Sequence, residues 1–352
     1  MKNQYLSATL SLMLTACVSS PSLNEIQATK PDVFKTEVSA IPKNCTLIPP
    51  KATSIVGTIY YKWTQADQSN SEIDPVLKAK NDVETQPFIW YVDKLNVAST
   101  AYIENKKNVK AGKCIVAYID EWARTDALLG KMSETPNDIG MPMGRGFQKW
   151  LLSAIEADYI KVRDLATSDQ DERIKWWMNQ VAISVREFSD RSVNPMNNHY
   201  AWAGVAVFQA GIITDNKTNI EWGRKVFNNQ MSDVSPDGSL PHEIARGKQA
   251  LRYHNFGITP LIYMAQLSKM IGEDWTTNPN LQRFITFTTD VNLDPTILQK
   301  LTGKTIVPDS LYGWMGLLPD NDPNRAKMAK YGFPNVNYLG GNQTVMRDLI
   351  AQ

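Results

Sequence analysis

Residues 237–257 read DGSLPHEIARGKQALRYHNFG, and the rest of the chain can be organised around them. The Asp-Gly pair predicts a turn, and Pro241 is a residue type that favours the first turn of a helix. On the helix that follows, Glu243 and Arg246 are three residues apart and Tyr253 lies two turns further on, so all three share one face. At ~1.5 Å of rise per residue, the backbones of Arg246 and Tyr253 are roughly 10 Å apart, and both side chains can reach one ligand.

A fixed cation beside a phenol suits an acidic ligand. Arg246 can bind a carboxylate and also favour the ionised form of Tyr253. A free phenol has a pKa of ~10, so a tyrosine that works as a base near neutral pH needs such a neighbour. The stretch therefore predicts a site where a carboxylate and a reactive tyrosine meet.

The wider pattern is helical. Apolar residues recur at helical spacing from residue 86 onward, and short connections carry Pro, Asn, Asp or Gly. The pattern predicts helices near residues 88–98, 115–128, 147–155, 174–185, 198–209, 219–228, 241–270 and 281–288, and the Gly and Pro of residues 257–260 mark a break in the 241–270 helix. We predict one all-α domain of antiparallel hairpins that close into a toroid or stack as a solenoid. The absence of a fixed-period repeat disfavours the solenoid.

The N-terminus resembles a bacterial export signal. Lys2 precedes a short apolar run, and Leu14-Thr15-Ala16-Cys17 matches a lipoprotein signal in which the cysteine is lipidated. We expect residues 1–16 to be the signal peptide, residues 17–56 to be a lipidated, extended tether, and residues 57–352 to form the catalytic domain. A plain secretory peptide is the alternative. Because Val18 follows the cysteine rather than Asp, we expect a periplasm-facing outer-membrane anchor.

The charge balance excludes some partners. The full chain carries a formal net charge of +1, which falls to about zero when Lys2 is removed with the signal. An acidic ligand must therefore be met by a local cluster of cations, and nucleic acid is not an expected partner.

Cys45 and Cys114 remain once Cys17 is assigned to the lipid anchor. In an oxidising compartment such a pair reads as one disulfide, worth about 3–4 kcal/mol by the entropy of the loop that it closes. Two buried thiols are the alternative.

A second informative segment reads NNHYAWAG at residues 197–204. It follows an Asn-Pro helix-entry signal, so Asn198 and His199 lie at a helix N-terminus, where amide groups and the imidazole favour an anion. Simple N-capping is the alternative reading. The chain's three histidines, His199, His242 and His254, all fall in this segment or in residues 237–257, which favours a site.

Other chemistries are poorly matched. The sequence HEIAR at residues 242–246 resembles a zinc-binding helix except that Arg246 stands where the second histidine would be, and a cation repels a metal. No phosphate-binding glycine loop, serine-nucleophile elbow or dinucleotide fingerprint occurs. Glu243 with a distant Asp could make a glycosidase pair, but no spacing supports one. We expect no metal and no organic cofactor.

Several segments together resemble the periplasmic alginate lyases of polysaccharide lyase family 5, the poly(β-D-mannuronate) lyases. The resemblance covers about residues 45–345 and is most specific in the Asn-Asn-His and Arg…Tyr-His-Asn segments. The matching segments are KWTQAD (62–67), Cys114 with WARTDAL (122–128), Lys149-Trp150, Asn197-Asn198-His199 with Trp202, LP.E..R (240–246), AL.YHN (250–255) and LGG (339–341).

This resemblance implies an incomplete α/α toroid and β-elimination across a 4-O-linked uronate. Asn198, His199 and Arg246 would neutralise the uronate carboxylate, and Tyr253 would take the C5 proton and return it to the leaving C4 oxygen.

The resemblance also implies substrate contacts outside this group. Lys62 would close a lid over the bound chain, and Trp202 and His254 would bind substrate. Packing alone is the alternative for Trp202.

Two residues near the predicted site depart from the family pattern. Tyr200 stands where a serine is usual and Phe256 where a tyrosine is usual, and residues 312–320 lack the family's C-terminal cysteine pair. The departures leave the polyuronate open: polymannuronate is the leading substrate, and glucuronan or an acidic capsule is the alternative. A non-catalytic polysaccharide-binding lipoprotein is the alternative from another class.

Overall fold

The computed structural model describes residues 30–35, 41–55, 74–105, 108–133 and 143–352. The predicted signal peptide, Cys17 and the predicted lid with Lys62 lie outside these residues.

The described residues are 72% helical and contain no strand. The α-helices are α1 (Pro75–Glu104), α2 (Val109–Arg124), α3 (Met143–Val162), α4 (Ser168–Ser192), α5 (Asn198–Thr214), α6 (Lys217–Ser232), α7 (Pro241–Ile244), α8 (Ala250–Leu267), α9 (Pro279–Leu293), α10 (Thr296–Thr302), α11 (Pro323–Met328) and α12 (Gln343–Ile350). Short 3-10 helices between them include Gly247–Gln249, Tyr312–Leu317 and Asn337–Leu339.

The helices form two concentric layers. In the inner layer α1 packs on α3, α3 on α5 and α5 on α8, and each pairs with an outer helix, α2, α4, α6 or α9. Nearly every side chain of α5 is buried, because its sequence is apolar on all sides and it is enclosed by neighbours. The gap between α8 and α1 is filled by α12 and by the 3-10 helices near the C-terminus. The predicted all-α toroid is confirmed.

The predicted long helix over residues 241–270 is interrupted, but not where the sequence suggested. Helix α7 ends at Ile244, and Gly247, with φ +55°, belongs to a separate 3-10 turn before α8. Helix α8 instead continues through Pro260. Proline has no N–H for the carbonyl of Phe256, and the indole Nε1 of Trp202 donates to that oxygen instead, at 3.1 Å. A neighbouring helix thus supplies the bond that Pro260 removes.

Part of the predicted tether belongs to the folded domain. Cys45 and Cys114 form a disulfide with a Cα–Cα distance of 5.5 Å, which fixes residues 41–55 to α2. The carbonyl of Ala52 accepts a hydrogen bond from Leu128 N at 2.8 Å, and Ile55 forms an isolated parallel bridge further along the same connection. Residues 41–55 therefore cover the α2 end of the domain.

A buried polar network fixes the LGG segment. Lys161 of α3 donates to Asp158 Oδ1 at 3.2 Å, to Ser99 Oγ at 3.0 Å and to the carbonyl of Gly340. Gly340 has φ +76°, and a Cβ there would lie 2.8 Å from the Cβ of Ala157. Both the backbone angle and the close approach require glycine, so this motif is structural.

No helix within the described ranges is long and apolar enough to cross a membrane.

Candidate active site

The first turn of α5 presents two of the predicted residues. Asn197 caps the helix by accepting a hydrogen bond from His199 N at 2.9 Å. Asn198 is buried and donates through Nδ2 to Glu243 Oε1 at 2.9 Å, which leaves its second amide N–H for another acceptor. His199 is partly exposed. The N-capping reading of this segment and the site reading are thus compatible, because Asn197 caps while its two neighbours project inward.

Glu243 connects α7 to this turn. Its carboxylate accepts from Asn198 and lies 3.5 Å from Nε of Arg246. Burial raises the pKa of Glu243, while Arg246 and the amide of Asn198 oppose the rise. The buried carboxyl group of Glu243 therefore holds the amide of Asn198 and the guanidinium of Arg246 near each other.

Arg246 and Tyr253 meet as the sequence predicted. The guanidinium carbon of Arg246 lies 4.5 Å from the centre of the Tyr253 ring, and the Arg246 side chain is 15% exposed. They do not share a continuous helix, since Arg246 lies in the turn before the 3-10 segment and Tyr253 lies in α8. The turn brings the cation over the ring, a favourable cation–π arrangement.

Lys149 of α3 adds a cation from the opposite side. Its Nζ lies 3.1 Å from Nδ1 of His199, and its side chain is 2% exposed. Burial lowers the pKa of Lys149 to about 7. Burial, Lys149 and Arg246 together hold the pKa of His199 well below its usual range, so the imidazole is neutral at physiological pH. The influence of Arg246 also brings His199 into the same electrostatic site as the Arg246–Tyr253 pair.

An aromatic cluster separates these polar groups from a cavity of about 390 Å³. The Trp150 ring lies 5.6 Å from His199 and stacks on Tyr338 at 5.4 Å with an interplanar angle of 12°. Phe256, 6.1 Å from Trp150, and Tyr338 both border the cavity. The partly exposed Arg252, 3.6 Å from Asp309, also lies on its wall. The cavity thus offers ring surfaces and a cation on the other side of this cluster from the polar groups.

His254 is not a substrate contact. It is 0% exposed, its Nδ1 lies 2.7 Å from the carbonyl oxygen of Ala250, and its Nε2 accepts from Leu240 N at 3.2 Å. Because the backbone occupies both ring nitrogens, the predicted role in substrate binding is corrected to a structural one. His254 fastens the start of α7 to α8.

Trp202 is almost fully enclosed by protein. It is 1% exposed, its indole N–H is used by the carbonyl of Phe256, and the two rings pack at 5.0 Å. Trp202 nevertheless contributes to the cavity lining with Phe256, so its direct contact with substrate stays a prediction.

Of the two departures from the family pattern, one lies at the cavity. Tyr200 is buried, donates to Asp190 Oδ1 at 2.9 Å and packs against Trp222, away from the cavity lining. Phe256 borders the cavity directly. Pocket shape is therefore altered at Phe256 and not at Tyr200.

Sequence reasoning missed the Lys149–His199 contact and the contributions of Tyr338 and Arg252. The position of Lys149 could have been predicted, because it is the single lysine of an apolar helical run (FQKWLLSAI) that is expected to be buried. Tyr338 has none, because its place beside Trp150 depends on how the C-terminal segment closes the toroid.

Among the described residues, no group of three His, Cys, Asp or Glu side chains is arranged to hold a metal ion. In the HEIAR segment His242 faces solvent while Glu243 points inward to Asn198 and Arg246.

Known proteins share this fold. The solved structure of alginate lyase A1-III from Sphingomonas species A1 matches with a TM-score of 0.70 at 19% identity, over 92% of both chains. A tetrasaccharide complex of an A1-III variant gives a TM-score of 0.71 at 18% identity, over 91% of both chains. These similarities show the α/α toroid fold.

Sequence comparison adds relatives at higher identity. A polysaccharide lyase of Stenotrophomonas maltophilia (strain K279a) is 32% identical over 308 residues, which cover 86% of this chain and 90% of that protein. An alginate lyase of Pseudomonas putida (strain GB-1) is 30% identical over 216 residues, 57% of the length of each protein. The alginate lyase family model matches residues 60–297, about two thirds of this chain. On these grounds the chain belongs to the alginate lyase family and is a polysaccharide lyase.

Proposed function

We propose that the protein cleaves a 4-O-linked polyuronate, polymannuronate in the first place, by β-elimination. The observation that carries this proposal is that the guanidinium carbon of Arg246 lies 4.5 Å from the centre of the Tyr253 ring. The same guanidinium also contributes to the lowered pKa of His199, so the three side chains share one site. The sequence relatives, an alginate lyase and a polysaccharide lyase, support an acidic polysaccharide as the substrate class.

The first chemical requirement is to make the C5 proton acidic. The carboxylate beside C5 must be neutralised so that charge can develop on it as the proton leaves. The second N–H of Asn198, the imidazole of His199 and the guanidinium of Arg246 are the donors for this carboxylate. Glu243 anchors two of them by holding Asn198 and Arg246 in place.

The second requirement is a base that can become an acid. Tyr253, as the phenolate favoured by Arg246, takes the C5 proton, and the C5–H electrons move toward the carboxylate. As the C4–O bond breaks, the Tyr253 hydroxyl gives its proton to the leaving oxygen, and a C4=C5 double bond forms. In mannuronate the C5 hydrogen and the C4 oxygen lie on the same face of the ring, so one residue can serve both steps.

The cavity beside Phe256 supports binding of neighbouring sugar units. Tyr338 and Phe256 offer ring surfaces, and Arg252 offers a cation for a second carboxylate. The residue type at position 256 is also the specific observation that favours a second candidate, a lyase for another polyuronate such as glucuronan.

The test follows the ultraviolet absorbance of the new double bond on polymannuronate, polyguluronate and glucuronan. We expect a rise on polymannuronate that Tyr253→Phe abolishes, with the exposed Tyr331→Phe as the matched control that retains activity. A rise on glucuronan alone would select the second candidate. Binding without a rise on any polymer would contradict the proposed reaction.

We further propose that residues 1–16 direct export, that Cys17 is lipidated and anchored in the outer membrane, and that Lys62 closes a lid over the substrate. The LTAC sequence supports the anchor, and the KWTQAD segment supports the lid. Metabolic labelling with a fatty acid should mark the wild type and not Cys17→Ser. Equal labelling of the two would contradict the anchor.

A further inference from the structure

Lys149 differs from the other fully buried lysine of helix α3. Lys161 is held by the carboxylate of Asp158 and by a backbone carbonyl. For Lys149, the described residues supply no carboxylate within ion-pairing distance, and its amine meets the imidazole Nδ1 of His199 at 3.1 Å. A buried amine without a counterion is costly, so a stability role does not account for it.

The contact limits the protonation state of His199. Below pH 7, where Lys149 is protonated, its ammonium group has N–H donors and no acceptor, so the nitrogen that it faces at 3.1 Å must accept. Nδ1 then carries no proton, and the single proton of the neutral ring is on Nε2. The cations of Lys149 and Arg246 and the burial of the ring oppose a second proton.

We propose that Lys149 is a positioning residue that fixes His199 in the Nε2–H tautomer, so that the imidazole presents an N–H donor to the substrate carboxylate. The inference rests on the proposed function for the identity of that ligand. A ring with its proton on Nε2 has no lone pair there to remove the C5 proton, which leaves that step to Tyr253. The uronate carboxylate, bound at Nε2 on the other side of the ring, would bring a negative charge near Lys149, to which the described residues offer none within ion-pairing distance.

His254 provides an internal reference with the opposite tautomer. Its Nδ1 faces the carbonyl oxygen of Ala250 and must donate, whereas its Nε2 accepts from Leu240 N. Burial lowers its pKa to about 4, so its ring is neutral as well. The two neutral rings should therefore report opposite tautomers in one sample.

The experiment is nitrogen NMR of the protein with ¹⁵N-labelled histidine and no substrate. The chain has three histidines, and the His199 signals are assigned by their loss in His199→Gln. We expect Nε2–H for His199 and Nδ1–H for His254 in the wild type. In Lys149→Met the His199 signals should move toward the other tautomer while those of His254 stay unchanged. Lys149→Gln, whose amide can still donate, should keep Nε2–H.

Kinetic measurements separate the effect of Lys149 on the His199 tautomer from the effect of its charge. Lys149→Met should lower kcat/KM about 10- to 100-fold, as expected for loss of a charged hydrogen-bond donor. Lys149→Gln should recover part of this loss, because it keeps the tautomer and lacks the charge.

An Nδ1–H tautomer of His199 in the wild type, or an unchanged Nε2–H tautomer in Lys149→Met, would overturn the inference. The NMR reading needs no turnover. A wild type that is inactive on every polymer would therefore count against the proposed function, while the NMR experiment would still test the tautomer of His199.

Discussion

The guanidinium of Arg246 lies over the ring of Tyr253, 4.5 Å from its centre, although a turn of 3-10 helix separates their two segments. The interruption of the helix after α7 therefore brings the Arg246 guanidinium and the Tyr253 ring together. Helix α7 carries Glu243 to the side of Arg246, and α8 carries Tyr253 beneath it.

Removal of the Arg246 cation should be severe for catalysis. Arg246→Met should lower kcat/KM by about 10²–10³-fold, the range for loss of one donor to a developing oxyanion. Arg246→Lys keeps a charge but loses the planar fork, so its loss should be intermediate. The measurement is the initial rate of absorbance increase on the best polymer. Arg163→Met, which removes an exposed arginine paired with Asp171 at 3.2 Å, is the control. Equal rates for Arg246→Met and this control would contradict the assigned role.

Lys149→Met should be more stable than the wild type at neutral and acidic pH. The pKa of Lys149 is about 7 in the folded protein and its ordinary value is 10.5. Between these values the unfolded chain binds more protons, so stability attributable to this group rises with pH from about 7 to about 10.5. Its charged, buried form is a penalty below pH 7, and Lys149→Met removes it. We expect a gain of about 2–4 kcal/mol near pH 6 that shrinks toward pH 10.

The check on that prediction is urea unfolding of both proteins at several pH values. A destabilised Lys149→Met at pH 6, or a gain that does not depend on pH, would show that the amine is well accommodated in the fold. A more stable but less active variant is the pattern expected of a residue kept for function.

Removal of the His254 imidazole should lower stability and leave substrate affinity unchanged. His254→Leu leaves the buried N–H of Leu240 and the carbonyl of Ala250 without their side-chain partner, at a cost of about 1–3 kcal/mol. Thermal unfolding and KM for the polymer are the two measurements. A raised KM with an unchanged Tm would restore the substrate-binding role that the sequence resemblance implied.

The same residue gives a pH dependence. The pKa of His254 falls from 6.5 to about 4 on folding, because burial disfavours the charged ring. Between these values the unfolded state binds more protons, so stability falls as pH is lowered from about 6.5 to about 4. The contribution is about 3 kcal/mol. His254→Leu should show a correspondingly shallower loss of unfolding free energy over this window. Identical slopes for variant and wild type would contradict it.

Reduction of the Cys45–Cys114 disulfide should destabilise the protein. The cysteines are 69 positions apart, and opening a loop of that length costs about 4 kcal/mol by the chain-entropy relation. Cys45→Ser with Cys114→Ser should lower Tm in non-reducing buffer, and a reductant should lower only the wild type toward the same value. A reductant-insensitive wild type would contradict this.

The parts of the fold that depend on local sequence patterns could be predicted, and the parts that depend on contacts between distant residues could not. Helical periodicity alone predicts the inner and outer helices, because each one buries an apolar face whatever its neighbour is. The position of the break in residues 241–270 was missed. The tendency of Pro260 to interrupt a helix was overridden by a tertiary hydrogen bond from Trp202, and no local pattern shows that bond.

The candidate site shows the same difference between what local sequence patterns predict and what depends on long-range packing. Arg246 and Tyr253 were predicted to converge from their spacing, and they do, although through a different backbone path. His254 belongs to the same recognisable motif, but the motif does not distinguish a residue that contacts substrate from one that holds the backbone. Lys149 meets His199 across 50 positions of sequence, a contact that requires the packing of α3 against α5.

The central claim, cleavage by elimination rather than by addition of water, is tested most directly by digestion of polymannuronate in oxygen-18-labelled water. Mass spectrometry of the fragments then reads the origin of the new ends. The account predicts that every cleavage leaves a C4=C5 double bond at its new non-reducing end, with no heavy oxygen beyond the reducing-end exchange seen in a control of preformed oligomers, and that Tyr253→Phe gives no new fragments. New fragments none of which carries the double bond, with heavy oxygen in excess of that exchange control, would mean hydrolysis and would contradict the roles given to Tyr253 and Arg246.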